Sequence, residues 1–263
     1  MAHGTSLSLD DAVDVTRTGD LWLFRGRSAA DQAIRTLTNS PVNHVGMAVV
    51  LDDLPALMWH AELGRGVLDV WTGTRHRGVQ LHDLREAVEQ WTGHYRQRAW
   101  LRQLEPPVGP EQEAAVLTTI ARLDGTPFPS TAALAGRWLR GRLRRRAGRQ
   151  GTVQHVQRMQ QMETAYCAEV VAATYQAMGL LGDEHPTGYY DPGSFWSGDE
   201  LLLRNGARLG AEVRVDVGPD GSGRGPDSGP RLGPAGGRWV RRGIRRGIRP
   251  GVGRWRGPRR AAR

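Results

Sequence analysis

The sequence predicts an α+β domain in which a small antiparallel sheet packs against helices, followed by a basic tail. Short runs rich in β-branched and aromatic residues, around Leu23, Val45, Trp59 and Leu101, read as strands. They are too few in alternation for a sandwich, and too few strand–helix–strand units occur for a doubly wound sheet. Composition then changes at Gly218, where arginine, glycine and proline take over.

Gly19-Asp20 forms a turn into a first strand, Leu21-Trp22-Leu23-Phe24-Arg25. Residues 28–39 read as a helix, with Ser28 as N-cap and Ala30, Ala33, Ile34 and Leu37 on one stripe. The run Asn43-His44-Val45-Gly46-Met47-Ala48-Val49-Val50, bounded by Pro41 and Asp52-Asp53, reads as a strand buried on both faces. Leu57-Met58-Trp59-His60-Ala61-Glu62-Leu63 is its hairpin-like partner. Residues 79–91 begin extended and turn helical near Asp83, and residues 98–104 form another strand. Pro110 suits the first turn of a helix over 111–123. After Cys167, the residues Val170, Val171, Thr174 and Met178 recur at helical spacing, with Gly179 as a stop. Residues 208–217 make the last strand.

A hydrophobic content of 39% is enough for a core, and the formal charge of +9 is unevenly spread. From Gly218 onward 13 arginines face Asp220 and Asp227, a charge of +11, so the rest of the chain is near neutral at −2. The expected organisation is an N-terminal extension (1–17), one domain (18–217) with a basic insertion at about 132–152, and a tail (218–263). The insertion holds seven arginines, among them Arg137 and Arg146, and no acidic residue. The tail cannot bury enough apolar surface to offset its ordering entropy and is expected to be disordered. Residues 1–15 lack a basic start and a long apolar run, and no segment approaches the roughly 18 apolar residues of a membrane span. One cysteine suits a reducing compartment. The expectation is a cytoplasmic protein, with peripheral membrane contact left open.

The single cysteine, Cys167, sits where a polar run becomes helix-like, which predicts a place in the first helical turn. There the free N–H groups and the positive dipole end favour thiolate. A lone thiol forms neither an intramolecular disulfide nor a zinc–thiolate cluster, so reactivity and plain packing are the two roles left. His44, at the entrance of a buried strand, is held as a general base must be, or is a hydrogen-bonded core histidine. Gly46 and Ala48 share its face and leave room for a helix or a thiol. His60 and Glu62 share a face of the next strand, and either could orient His44. The eight histidines are scattered, no His-x-x-x-His or Cys-x-x-Cys spacing occurs, and His76 and His82 fall in a segment that reads as loop and edge. No metal and no cofactor are expected.

Taken in order, Gly19-Asp20-Leu21, Asn43-His44-Val45-Gly46, Trp59-His60-Ala61 and Tyr166-Cys167-Ala168-Glu169-Val170-Val171 resemble the circularly permuted NlpC/P60 families. These include the YiiX-like and YaeF-like permuted papain-like amidases, with lecithin retinol acyltransferase as a more distant relative. The resemblance covers roughly residues 18–217 and extends to Gly66-Val67, Asp124-Gly125-Thr126-Pro127-Phe128 and Tyr190-Asp191-Pro192. It implies a permuted papain-like fold, with Cys167 as nucleophile at a helix N-terminus and His44 as base. His60 matches the third polar residue, which YiiX-like members usually supply as a glutamate before alanine. Here the run is His60-Ala61-Glu62, so Glu62 is the alternative.

The function expected is that of a cysteine hydrolase, an amidase, peptidase or lipid esterase working through an acyl-enzyme. An acceptor alcohol or amine in place of water would make it an acyltransferase. The Cys167 backbone N–H would help to hold the oxyanion. The substrate would be a small-molecule, peptide or lipid acyl compound. The alternative is a catalytically inert papain-like module that contacts anionic lipid or nucleic acid through its arginine-rich segments. Sequence-specific DNA recognition is not expected from such a tail.

Overall fold

The computed structural model describes residues 6–26, 40–127, 155–197 and 201–218. The expected helix at 28–39, the basic insertion and all but the first residue of the 218–263 tail lie outside the described residues.

The described chain is an α+β body built on one large, mostly antiparallel sheet. Its strands are β1 (Ser6–Ser8), β2 (Leu21–Arg25), β3 (His44–Val49), β4 (Leu57–Glu62), β5 (Gly78–Asp83), β6 (Arg98–Arg102) and β9 (Val213–Asp216). They lie in the order β1-β9-β6-β2-β3-β4-β5, and β7 (Leu104–Glu105) pairs with β8 (Arg208–Leu209) beside them. Every pairing in the seven-stranded sheet is antiparallel except β1 with β9. The sheet is larger than the sequence suggested because residues before Thr18 belong to it. Ser6–Ser8 pairs with β9, and α1 (Leu9–Asp14) buries Leu9 and Ala12. The Ser8 side chain caps α1 by accepting from the Asp11 N–H.

Period-two alternation splits the sheet into two apolar faces. Leu21, Leu23, Val45, Met47, Val49, Leu57, Trp59, Ala61, Val79 and Leu81 form the core with α4 (His155–Ala177). Their neighbours in sequence, Trp22, Phe24, Ala48 and Met58, form a second core with α1, α2 (Leu84–Glu89) and Trp91. The turn from β5 into helix falls at Asp83, as the sequence suggests, because its carboxylate accepts the Glu86 N–H at 3.0 Å. A single π-helical turn, Gln90–His94, then carries Trp91 under the second face. The third helix, α3 (Pro110–Leu123), opens on Pro110, again where the sequence puts it.

Two expectations change. Residues 208–217 form two short strands, since the intervening backbone bonds to other partners. Arg102 donates to the Gly210, Phe195 and Leu209 carbonyls at 2.7, 2.6 and 3.1 Å, and Gly210 N–H reaches the Gln103 carbonyl at 2.8 Å. Helix α4 starts at His155, not near Cys167. Residues 155–166 contain neither glycine nor proline and are rich in good helix formers, so nothing in them ends the helix. Its C-terminus is as expected: Gly179 has φ +71°, and the Leu180 and Leu181 N–H groups return to the Tyr175 carbonyl.

Gly78 at the head of β5 has φ +124°, and a Cβ there would stand 2.2 Å from the Thr126 carbonyl oxygen. That carbonyl accepts the neighbouring Val79 N–H at 3.0 Å, so neither backbone can give way cheaply. Gly78→Ala is expected to cost about 2–4 kcal/mol in urea denaturation. Gly93→Ala, where a Cβ meets nothing within 4 Å, should stay within about 0.5 kcal/mol of the parent.

Candidate functional site

The second face of the sheet carries a row of buried polar side chains. The antiparallel register sets Phe24 beside His44, His60 beside Gln80 and Met58 beside His82. His44, His60, Glu62, Gln80 and His82 therefore share one face, and all are buried. Gly46 makes room on this face for Met58, whose Sδ would lie 3.0 Å from a Cβ at that position; the space serves neither helix nor thiol.

The three imidazoles form a chain. His44 Nε2 lies 2.9 Å from His60 Nδ1, His60 Nε2 lies 2.9 Å from His82 Nδ1, and His82 Nε2 lies 3.1 Å from Gln80 Oε1. The Gln80 amide gives this chain a direction. Its NH₂ donates to the Glu62 and Gly78 carbonyls at 3.3 and 3.4 Å, so its oxygen is the atom presented to His82. An amide oxygen only accepts, hence His82 carries its proton on Nε2 and accepts at Nδ1. The same logic puts the His60 and His44 protons on Nε2. His44 Nδ1 is left as a bare lone pair, and it has no hydrogen-bond partner.

Electrostatics agree with neutral rings. Burial holds His44 and His82 well below the ordinary histidine range, with the neighbouring imidazoles adding to the effect. Burial alone takes His60 down to about 3. Trp91 stacks on His44 with centroids 3.8 Å apart and planes at 18°, and it meets His60 edge-on. Burial also pushes the Glu62 carboxyl up to about 7, against the opposing pull of the Tyr95 hydroxyl and the Trp91 indole. Tyr95 donates to Glu62 Oε1 at 3.0 Å, while Oε2 accepts no hydrogen bond. Glu62 Oε2 lies 3.9 Å from His60 Nε2 and 3.7 Å from His82 Nδ1. Gly64 leaves space for the pair, since a Cβ there would stand 2.2 Å from Glu62 Oε1 and 2.5 Å from the Tyr95 hydroxyl.

Among the candidate residues named from sequence, the structure brings together His44, His60 and Glu62. His60 is the one bonded to His44, and Glu62 stands behind it. Cys167 is elsewhere. It is the thirteenth residue of α4, fully buried in the core on the other face of the sheet, with Val45, Met47 and Trp59. The expected place at a helix N-terminus is corrected accordingly. Inside the helix, its N–H belongs to the ladder and is not an oxyanion donor. His82, read as loop and edge, lies in β5 and is buried on the second face of the sheet. Gln80, His82, Trp91 and Tyr95 were missed. The available signal was the Gln80-x-His82 spacing in a run that alternates like a strand.

No family model matches this sequence, and no curated protein matches it. Among solved structures, the metalloprotein YiiX from Escherichia coli O157:H7 is similar, with a TM-score of 0.38 and 18% identity over 80% of this chain and 93% of that one. No helix among the described residues is long and apolar enough to cross a membrane.

The directed chain has a measurable signature. Long-range ¹H–¹⁵N spectra should show His44, His60 and His82 all as Nε2–H tautomers. Gln80→Leu removes the group that fixes the direction and should produce mixed tautomers in all three rings. In chelator-treated protein, a His44 with its proton on Nδ1 would contradict the assignment.

Proposed function

We propose that this chain is a cysteine-dependent hydrolase of the permuted papain-like kind, with Cys167 as nucleophile and His44 as general base. The single observation that supports this most is the lone pair at His44 Nδ1. Its ring is oriented by His60 through Nε2 and clamped by Trp91, as a base acting in a nucleophile–base–orienter set must be.

In this reading the Cys167 thiol gives its proton to His44 Nδ1, and the thiolate adds to the carbonyl carbon of an amide or ester. The tetrahedral adduct collapses as the C–N or C–O bond breaks, and the leaving amine or alcohol takes the proton from His44. Water then attacks the thioester while His44 accepts and returns a proton, releasing the acid and the thiol. The substrate class is an acyl compound, either a peptide-like amide or a lipid ester.

The reading makes one structural demand. Cys167 Sγ must reach the His44 end of β3, whereas the arrangement described here has the sheet between them. Past the cysteine, α4 makes polar links to its surroundings. Trp59 Nε1 donates to Thr174 Oγ1 at 3.1 Å, and the Tyr175 hydroxyl donates to the Gly19 carbonyl at 2.6 Å. Nearer the cysteine, Glu169 Oε1 accepts from Thr187 Oγ1 at 3.2 Å, so bringing Sγ to His44 requires the packing of α4 on the sheet to be remade. A second reading, the inert binding module, is favoured by the burial of Cys167 within α4.

Alkylation separates the two. With iodoacetamide near pH 6, the native chain should react rapidly at Cys167, and His44→Ala should slow that reaction by about 100-fold or more. An acyl probe should label the native chain and not Cys167→Ala. Slow alkylation that is indifferent to His44→Ala would abolish the hydrolase reading in favour of the binding module.

A further inference from the structure

We infer that His60, Glu62 and His82 form a binding site for one divalent transition-metal ion of the zinc class. Three ligand atoms converge: His60 Nε2, His82 Nδ1 and Glu62 Oε2, with separations of 2.9, 3.9 and 3.7 Å. A tetrahedral ion with bonds of about 2.0–2.1 Å needs ligand–ligand edges of about 3.4 Å. The triangle brackets that value, so shifts of about half an ångström would close it.

The surroundings match the needs of a cation. Glu62 Oε2 is buried and accepts no hydrogen bond, while its partner oxygen is fixed by Tyr95. Such an atom is costly to bury unless a positive charge meets it. Each histidine has its remaining ring nitrogen engaged, His60 Nδ1 by His44 and His82 Nε2 by Gln80. Outer partners of this kind fix the ring orientation and tautomer of a metal-binding histidine. Two imidazoles and one carboxylate suit zinc, cobalt or nickel better than magnesium or calcium, which prefer oxygen throughout.

Occupancy reverses the proton order of the row. To offer Nε2 to a metal, His60 must carry its proton on Nδ1 and donate it to His44 Nε2. His44 then holds its own proton on Nδ1, the atom that the proposed hydrolase needs bare. Metal loading and thiol activation therefore exclude each other. Only this consequence rests on the hydrolase reading; the site does not.

The test uses the full chain carrying Cys167→Ala, so that no thiolate can bind metal, after treatment with a chelator. Titration with cobalt(II) should give one equivalent and a visible ligand-field band. Glu62→Gln and His82→Ala should each weaken binding by about 100-fold or more, and Gln80→Leu by about 10–100-fold. Zinc should raise the melting temperature of the parent and leave that of Glu62→Gln unchanged, while magnesium should move neither. If a variant fails to fold, zinc added to the parent must shift the His60 and His82 ring signals and move the His60 proton to Nδ1. No band in the parent, or a band that survives Glu62→Gln and His82→Ala, or ring signals untouched by zinc, would overturn the site. The cysteine-free background keeps this result independent of the alkylation outcome.

Discussion

The register between β4 and β5 is the constraint on which the rest of this structure depends. Three imidazoles, a carboxyl and an amide are buried on one face, and the hydrogen bonds joining the imidazoles and the amide run within that group. A one-residue slip of β5 against β4 would turn Gln80 and His82 into the apolar core under α4, and a slip of β4 would do the same to His60 and Glu62. Either displacement would strand polar groups without partners, at about 1–3 kcal/mol each. The row therefore specifies the pairing as strongly as the hydrophobic alternation does.

Opposite this face, α4 supplies the apolar counterpart. Cys167, Ala168, Val171, Ala172 and Tyr175 fill the space over β3 and β4. Near its C-terminal end the helix also makes polar links, Thr174 accepting from Trp59 and Tyr175 donating to the Gly19 carbonyl just before β2. The sheet is thus packed by apolar side chains on both faces, with the hydrogen-bonded imidazole row added on one.

Much of this was legible in the chain. The strands at Leu21, His44 and Leu57, the turn into helix at Asp83 and the helix after Pro110 all follow from period, caps and proline. The pairing of His44 with His60 also follows, because a short connection makes β3 and β4 neighbours. The approach of His82 and Gln80 to His60 was not legible, since it depends on how the 15-residue connection from Leu63 to Arg77 sets the register. Local patterns carry no such information. The start of α4 was missed for a different reason. Helix propensity runs unbroken through 155–166, and the polar-to-apolar change at Cys167 marks where the helix enters the core, not where it begins. The N-terminal strand was missed because three residues are too few for a periodic signal, and its partner lies more than 200 positions away.

Trp91 gives the polar row an optical window. Its indole lies flat against His44 and edge-on to His60 and Tyr95, on a π-helical turn that fixes its position. An excited indole gives up an electron readily to an imidazolium and much less readily to a neutral imidazole. Its emission therefore reports whether a ring of the row has gained a charge, so a protonation deep inside the sheet is written into light that leaves the molecule.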